Sequence, residues 1–138
     1  MSSLSNKTAL VTGASRGIGR ATAIALANAG AHVLVHYGKS QKDADALVED
    51  IRNNGAKADA LGVDLAAPEA ASEVAIKVRN LVQGRLDIVV ANAGISKAAR
   101  IEDHTIADFD NLFATNVRAH SFLCSSFFPC WERVPASS

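Results

Sequence analysis

Thr12-Gly13-Ala14-Ser15-Arg16-Gly17-Ile18-Gly19 stands between a short apolar run, Lys7-Thr8-Ala9-Leu10-Val11, and an alanine-rich segment from Ile18 to Ala29. The apolar run predicts a buried parallel strand, and the alanine-rich segment predicts a helix. A glycine-rich turn that leads from a strand into a helix presents backbone N–H groups and the positive end of the helix dipole, and both favour a bound phosphate. The stretch therefore predicts an α/β fold with a nucleotide ligand.

Each glycine of this turn has a separate predicted role. Gly13 lets the chain leave the strand in a conformation that a side chain forbids. Gly17 lets the backbone approach a pyrophosphate, and Gly19 lets the helix pack closely on the sheet. Ser15 and Ile18 lie between the glycines and are counted with them as candidate phosphate contacts. The alternative is an ordinary strand-to-helix connection, although such a connection rarely needs three glycines at this spacing.

Strand-like and helix-like segments alternate along the rest of the chain. The strand-like segments cover residues 7–12, 32–36, 58–63 and 86–91, and the helix-like segments cover residues 17–29, 41–54, 68–82 and about 105–128. This alternation predicts a Rossmann-like three-layer αβα fold, in which helices cover both faces of a parallel sheet with strand order 3-2-1-4. We expect the fold to be truncated after about four strands and the long helix that follows them.

The spacing Gly-x-x-x-Gly-x-Gly differs from the general Gly-x-Gly-x-x-Gly dinucleotide pattern, and other motifs follow it in order. Asp64 follows the third strand, Asn92-Ala93-Gly94 follows the fourth, and Asn116 lies on the long helix. Over about residues 5–123 the chain resembles the short-chain dehydrogenase/reductase family, with a general likeness to its 3-oxoacyl reductase-like members. The resemblance implies an oxidoreductase that transfers hydride between a nicotinamide cofactor and a small-molecule carbonyl or alcohol. We expect an incomplete NAD(P)-binding domain over residues 1–128 and an irregular tail over residues 129–138.

The end of the second strand bears on the choice between NADP and NAD. Proteins that select NAD place an acid here to bind the ribose 2′-hydroxyl. This chain has His36-Tyr37-Gly38-Lys39-Ser40 instead, without a carboxylate. Arg16 and Lys39 are suited to neutralise a 2′-phosphate and Ser40 adds a donor, so we expect NADP and count Tyr37, Lys39 and Ser40 among the cofactor contacts. The alternative is that Arg16 and Lys39 are solvated surface charges.

Two further segments lie where parallel strands end. The resemblance implies that Asp64 and Leu65 contact the adenine ring, whereas the alternative for Asp64 is a turn role ahead of Pro68. Asn92, Ala93 and Gly94 place small residues at the carboxyl end of the fourth strand, where a ligand can lie against the backbone. A purely structural turn remains the alternative for these three residues.

Asn116 falls on the apolar stripe of the long helix, where a buried amide without partners would cost about 1–3 kcal/mol. The resemblance implies a catalytic role, in which this asparagine holds a water in a proton relay with a serine, a tyrosine and a lysine. The alternative is that Asn116 bonds only to backbone groups and shapes the helix.

The other members of that relay are missing from this sequence. The single tyrosine is Tyr37, at the second strand, and no Tyr-x-x-x-Lys occurs. Two functions therefore stay open. The first is an NADP-dependent short-chain oxidoreductase whose chain, as given, is inactive alone; the second is a non-catalytic nucleotide-binding or assembly module, or a truncated product.

Without a fifth strand, the fourth strand would form an apolar edge of the sheet, and edges of that kind invite pairing. We therefore expect a homo-oligomer. The sequence leaves open whether the chain is a fragment, a frame-shifted product or a protomer that covers this edge with a second copy.

Composition sets the remaining expectations. The chain is 49% hydrophobic and carries 14 basic and 14 acidic residues, so no excess of positive charge points to nucleic acid. No signal pattern and no apolar stretch of roughly 20 residues occurs, which predicts a cytoplasmic protein without a membrane span. Cys124, Cys130 and the four scattered histidines lack metal-ligand spacing, so no metal site is expected.

Overall fold

A computed structural model describes residues 3–82, 85–95 and 100–127. Four strands alternate with three helices: β1 Thr8–Val11, α1 Gly17–Asn28, β2 His32–Tyr37, α2 Gln41–Asn53, β3 Ala58–Gly62, α3 Ala70–Leu81 and β4 Ile88–Val90. A 3₁₀ turn, Ile101–Asp103, precedes the last helical stretch. That stretch consists of α4 Ile106–Phe113, a π-helical segment Ala114–Arg118 and α5 Ala119–Phe127.

The four strands form one parallel sheet in the order β3-β2-β1-β4. Ala9 of β1 pairs with Val33 of β2 on one side and with Ile88 of β4 on the other. The predicted fold class and strand order are therefore confirmed. Because all strands are parallel, their carboxyl ends meet at one edge of the sheet, and this edge is where ligands bind in open α/β sheets.

Helices cover both faces of the sheet, and each face has its own core. On one face, Leu47 and Ile51 of α2 pack with alanines of α1 over Val11 and Val35. On the other face, Val74 and Val78 of α3 pack with Leu123 of α5 over the side chains of β1 and β2 that point the opposite way. Buried residues on both faces explain why β1 and β2 are nearly continuous apolar runs.

The start of β4 is tied to the start of β1 by Asp87. Its carboxylate accepts the Thr8 N–H at 2.9 Å, while its own N–H donates to the Thr8 carbonyl at 2.9 Å. The bond from Thr8, and to a lesser degree Arg85, lowers the pKa of Asp87 below its ordinary value. These contacts set the register of β4, whose three residues are only half-buried.

The predicted strands and the first three helices are all present, with ends that differ by two residues at most. The last helix differs from the expectation of one regular helix over about residues 105–128. The N–H of Ala119 bonds to the carbonyl of Ala114, five residues earlier, which defines the π-helical segment. The expected tail over residues 129–138 lies outside the described residues. Among the helices that the structure describes, none is long and apolar enough to cross a membrane.

Candidate functional site

An open cleft of about 540 Å³ lies at the carboxyl edge of the sheet. It is bounded by the glycine turn, by the segments that follow β2, β3 and β4, and by the last helical stretch. The described residues that line it are Gly13, Ser15, Arg16, His36, Gly38, Lys39, Ser40, Val63, Asp64, Leu65, Ala66, Asn92, Ala93, Gly94, Ile95, Asn111 and Thr115.

The glycine turn opens into the N-terminus of α1 without a side-chain cap. Gly13 and Gly17 have φ values of 64° and 63°, in the region that favours glycine. The Arg16 side chain makes no capping bond, the first turn contains no acidic residue, and the Arg20 N–H bonds to the Arg16 carbonyl at 3.3 Å. The first N–H groups of α1 are thus left for an anion.

Gly19 is enclosed by the turn that precedes it and by the end of β4. A Cβ atom at Gly19 would overlap the Gly13 carbonyl oxygen and would lie 2.5 Å from Asn92 Nδ2. Asn92 Nδ2 itself donates to the Gly13 carbonyl at 3.2 Å. Close packing of the helix start, the turn and β4 therefore leaves no room for a side chain at position 19.

The hydroxyl of Thr12 joins the ends of β1 and β4. Its Oγ1 accepts the N–H groups of Asn92 and Ala93, each at 3.0 Å, and lies 3.1 Å from Nε2 of His120. Thr12 is fully buried. Because both N–H groups donate to Oγ1, the hydroxyl hydrogen is available to His120 Nε2 or to the Val90 carbonyl, which lies 3.4 Å away.

His36, at the end of β2, is 1% exposed and lines the cleft. The Gly13 N–H donates to its Nδ1 at 3.0 Å, and its Nε2 lies 2.9 Å from the Val63 carbonyl oxygen. Burial lowers the pKa of His36 below 6.5, with smaller contributions in the same direction from His120 and Lys77. The ring is therefore neutral at physiological pH and contacts the glycine turn directly.

The cations and the acid predicted at the site all line the cleft. Arg16 and Lys39 are exposed, and among the described residues neither pairs with a carboxylate. Ser40 lines the cleft beside Lys39. Asp64 is exposed and accepts the Ala66 N–H at 3.0 Å, so the predicted turn role of its side chain is present. That bond occupies one carboxylate oxygen and leaves the other for a ligand.

Asn116 lies in the π-helical segment and is exposed, unlike the buried amide that its place on the apolar stripe predicted. Its Oδ1 accepts the Ile95 N–H at 2.8 Å, and its Nδ2 donates to the Ile95 carbonyl at 2.9 Å. The amide is thus satisfied by backbone groups just past Gly94, and it fixes the segment that follows β4.

The cleft brings together ten of the fifteen residues predicted for the site. These are Gly13, Ser15, Arg16, Lys39, Ser40, Asp64, Leu65, Asn92, Ala93 and Gly94. Gly17, Ile18, Gly19, Tyr37 and Asn116 are not among the described residues that line it. The Tyr37 ring lies against Gly62 of β3. A Cβ atom at Gly62 would be 2.6 Å from the Cε2 atom of this ring.

Sequence reasoning missed three side chains that hold the cleft together: Thr12, His36 and His120. Each contacts a residue distant in the chain, and the four histidines show no metal-ligand spacing that would single out two of them. The signal that could have identified His36 was its position, because it lies near the carboxyl end of its strand, beside the segments that carry the motif residues of the other strands. Among the described residues, no group of three or more histidine, cysteine or acidic side chains could hold a metal ion.

Comparison with known proteins places this fold and cleft in one family. A family model described as short chain dehydrogenase matches residues 7–137. Versicolorin reductase 1 of Aspergillus parasiticus is 45% identical over 121 residues, which are 87% of this chain and 45% of that protein. The chain therefore belongs to the short chain dehydrogenase family, and it spans less than half the length of this curated relative.

Two solved structures extend the comparison. A short chain dehydrogenase from Burkholderia cenocepacia in complex with NADP is 41% identical, with a TM-score of 0.86 over 91% of this chain and 51% of that one. A promiscuous reductase that catalyses a keto-reduction in lugdunomycin biosynthesis is 35% identical, with a TM-score of 0.87 over 94% of this chain and 56% of that one. The fold and the family found from the sequence are thus confirmed.

Proposed function

We propose that this chain is the NADP-binding part of a short-chain oxidoreductase. The observation that carries the proposal is one cleft that combines the glycine turn with two exposed cations, Arg16 and Lys39, and with no carboxylate at the end of β2. A 2′-phosphate needs cations at that place, whereas the NAD ribose is bound there by an acid. The NADP complex of the Burkholderia relative supports the same cofactor.

The residues of the cleft fit the chemical groups of such a dinucleotide. The glycine turn from Gly13 to Gly19 and the uncapped helix behind it are suited to a pyrophosphate. Ser40 supplies a hydroxyl donor beside the cations, Asp64 supplies a carboxylate oxygen for the adenine, and Leu65 supplies an apolar contact. Asn92, Ala93 and Gly94 give a surface of small residues past β4. The nicotinamide would supply the hydride chemistry.

Asn116 has a positioning role in this proposal, because both polar atoms of its amide bond to the Ile95 backbone. It holds the segment after β4 at the edge of the cleft. The only tyrosine of the sequence, Tyr37, packs against β3. We therefore propose that the 138-residue chain binds cofactor, and that a small-molecule carbonyl or alcohol is reduced or oxidised only where a further acid/base group is supplied.

Replacing Arg16 with alanine should weaken NADP binding far more than NAD binding. Loss of a charge-assisted hydrogen bond to the 2′-phosphate costs about 1.5–3 kcal/mol, which is about 10–150-fold in affinity. Calorimetric titration of both dinucleotides measures the difference. Arg20→Ala is the matched control, since Arg20 pairs with Asp50 at 3.5 Å and is not part of the cleft lining. Equal losses for NADP and NAD would refute the role of Arg16.

A second function, an assembly module, is favoured by one observation. Ile106, Phe109, Phe113, Val117 and Phe122 are all more than half exposed on the last helical stretch, and β4 is the half-buried edge of the sheet. We expect the pure chain to form a dimer or larger oligomer in light scattering and to show no carbonyl-dependent oxidation of NADPH. Turnover by the pure chain would contradict the proposed lack of an acid/base group, and a monomer would contradict assembly.

A further inference from the structure

His36 joins the ends of three strands. Its backbone carbonyl accepts the Ala14 N–H at 2.9 Å, in addition to the Gly13 N–H that bonds to its ring. The opposite side of the ring contacts the Val63 carbonyl, one residue beyond β3. Two successive N–H groups of the glycine turn are therefore bonded to one residue of β2, and that residue is fixed in turn to the end of β3.

The direction of these hydrogen bonds fixes the protonation state of the ring. A backbone N–H can only donate, so the Nδ1 that faces Gly13 carries a lone pair, and Nε2 carries the proton that is donated to Val63. An imidazolium has a proton on each nitrogen and accepts nothing. Protonation would set an N–H against the Gly13 N–H, so the turn keeps its bond to the ring only while His36 is neutral.

The titratable groups around His36 also favour the neutral ring. Lys77 of α3, which donates to the Gly62 carbonyl at 2.7 Å and lies 3.4 Å from Glu73, lowers the pKa of His36, and His120 of α5 acts in the same direction. The charged side chains of the cleft lining itself are those of Arg16, Lys39 and Asp64. A proton on His36 would thus add charge to a lining that is already mainly cationic.

We propose that His36 is a positioning residue for the cofactor turn, and that acid weakens dinucleotide binding by protonating this ring and releasing the Gly13 N–H. This role rests on the proposed function, since the turn is positioned for the dinucleotide. The folded pKa of His36 lies below 6.5, so on the acid side of 6.5 the unfolded chain binds this proton more readily than the folded chain. The contribution of His36 to stability is therefore full above 6.5 and is lost as the pH falls through the folded value. The affinity for a dinucleotide falls as the folded chain itself becomes protonated at His36.

Three chains test this role: the wild type, His36→Asn and His32→Asn. Asparagine at position 36 retains an acceptor for the Gly13 N–H but does not titrate. His32 is a histidine of the same strand, but it pairs with Asp59 at 2.8 Å and is not part of the cleft lining. His36→Gln is a second non-titrating variant in case His36→Asn fails to fold, and circular dichroism at each pH identifies the folded samples.

Calorimetric titrations with NADP and with NAD, from pH 8 down to the lowest pH at which the samples stay folded, measure the effect. NAD is included because the 2′-phosphate of NADP titrates itself, near pH 6. In the wild type and in His32→Asn, we expect the affinity for both ligands to fall as the pH drops below the pKa of His36. The slope of this fall should approach about tenfold per pH unit. In His36→Asn, the affinity for NAD should no longer change with pH in this way. The affinity for NADP should change only through the titration of its 2′-phosphate.

Nitrogen NMR of the wild-type chain gives a readout that needs no ligand. At pH 8 we expect Nε2 of His36 to carry the proton and Nδ1 to carry none, and the Gly13 amide shift should follow the titration of the ring. If the wild type and His36→Asn had identical pH profiles for NAD binding, the positioning role of His36 would be refuted. The proposed binding of NADP would still stand. If no chain binds either dinucleotide at pH 8, the proposed function has failed, and the role of His36 toward a cofactor fails with it.

Discussion

Replacing Thr12 with valine should lower the free energy of unfolding by about 1–3 kcal/mol. Valine has nearly the shape of threonine, so the change removes the hydroxyl without opening a cavity. The Ala93 N–H, at a half-buried residue of the cleft lining, then loses its acceptor, and a buried donor left unpaired costs about 1–3 kcal/mol, less where water reaches it. The Asn92 N–H keeps a bond to the Val90 carbonyl at 3.0 Å, so its loss is smaller, and His120 loses a partner as well. Urea unfolding measures the difference.

Two matched variants separate the hydroxyl from other effects of the Thr12 change. Thr12→Ser keeps the oxygen and should recover most of the lost stability. Thr22→Val removes a hydroxyl that donates to the Ile18 carbonyl within α1, and it should change stability by less than about 0.5 kcal/mol, as is usual for surface positions. If Thr12→Val and Thr22→Val were equally stable, the link between β1 and β4 would contribute nothing.

Replacing Gly19 with alanine should cost about 3 kcal/mol of stability, the upper end of the range for overpacking substitutions. The Cβ atom would overlap the Gly13 carbonyl oxygen, which is backbone and cannot rotate away, and it would also meet Asn92 Nδ2. The turn must then shift, so we expect dinucleotide binding to be lost too. Thermal unfolding and calorimetric titration of the variant test both effects.

Gly38→Ala is the stability control for Gly19. A Cβ atom at Gly38 would have no described heavy atom within 4 Å, and the φ angle of Gly38 lies outside the left-handed region. The change should therefore leave stability near that of the wild type. A Gly19→Ala chain as stable as Gly38→Ala would show that the turn, the helix and β4 are not packed as closely as the structure has them.

The fold was predictable because its signals are local. Most strands are short apolar runs, the helices have helical periodicity, and turn residues such as Gly30 and Gly55 separate the elements. The cleft was predictable in outline for a related reason. In a parallel sheet the residues that follow each strand meet at one edge, so a motif after each strand predicts a shared site.

The parts that sequence could not predict depend on contacts between distant residues. The bond from Gly13 to His36 and the bonds from Thr12 to His120 and Ala93 have no local pattern. The π-helical segment could not be predicted either. An apolar spacing of three and four residues is compatible with backbone hydrogen bonds to the carbonyl four residues earlier and with bonds to the carbonyl five residues earlier. Tyr37 was predicted as a cofactor contact from its place at the end of β2; its packing against Gly62 of β3 could not be predicted, and its contact with a cofactor stays a prediction.

The order of the strands in the sheet has a consequence for how the chain acquires its structure during synthesis. Ala9 pairs with Val33, which follows it closely in the chain, and with Ile88, which is made much later. At about 5–20 residues per second, several seconds separate the appearance of these two partners. The partners of the glycine turn in β2 are therefore synthesised before those in β4, and the contacts with β4 also close a longer loop at a greater cost in entropy. The two supports of the turn thus become available one after the other as the ribosome makes the chain.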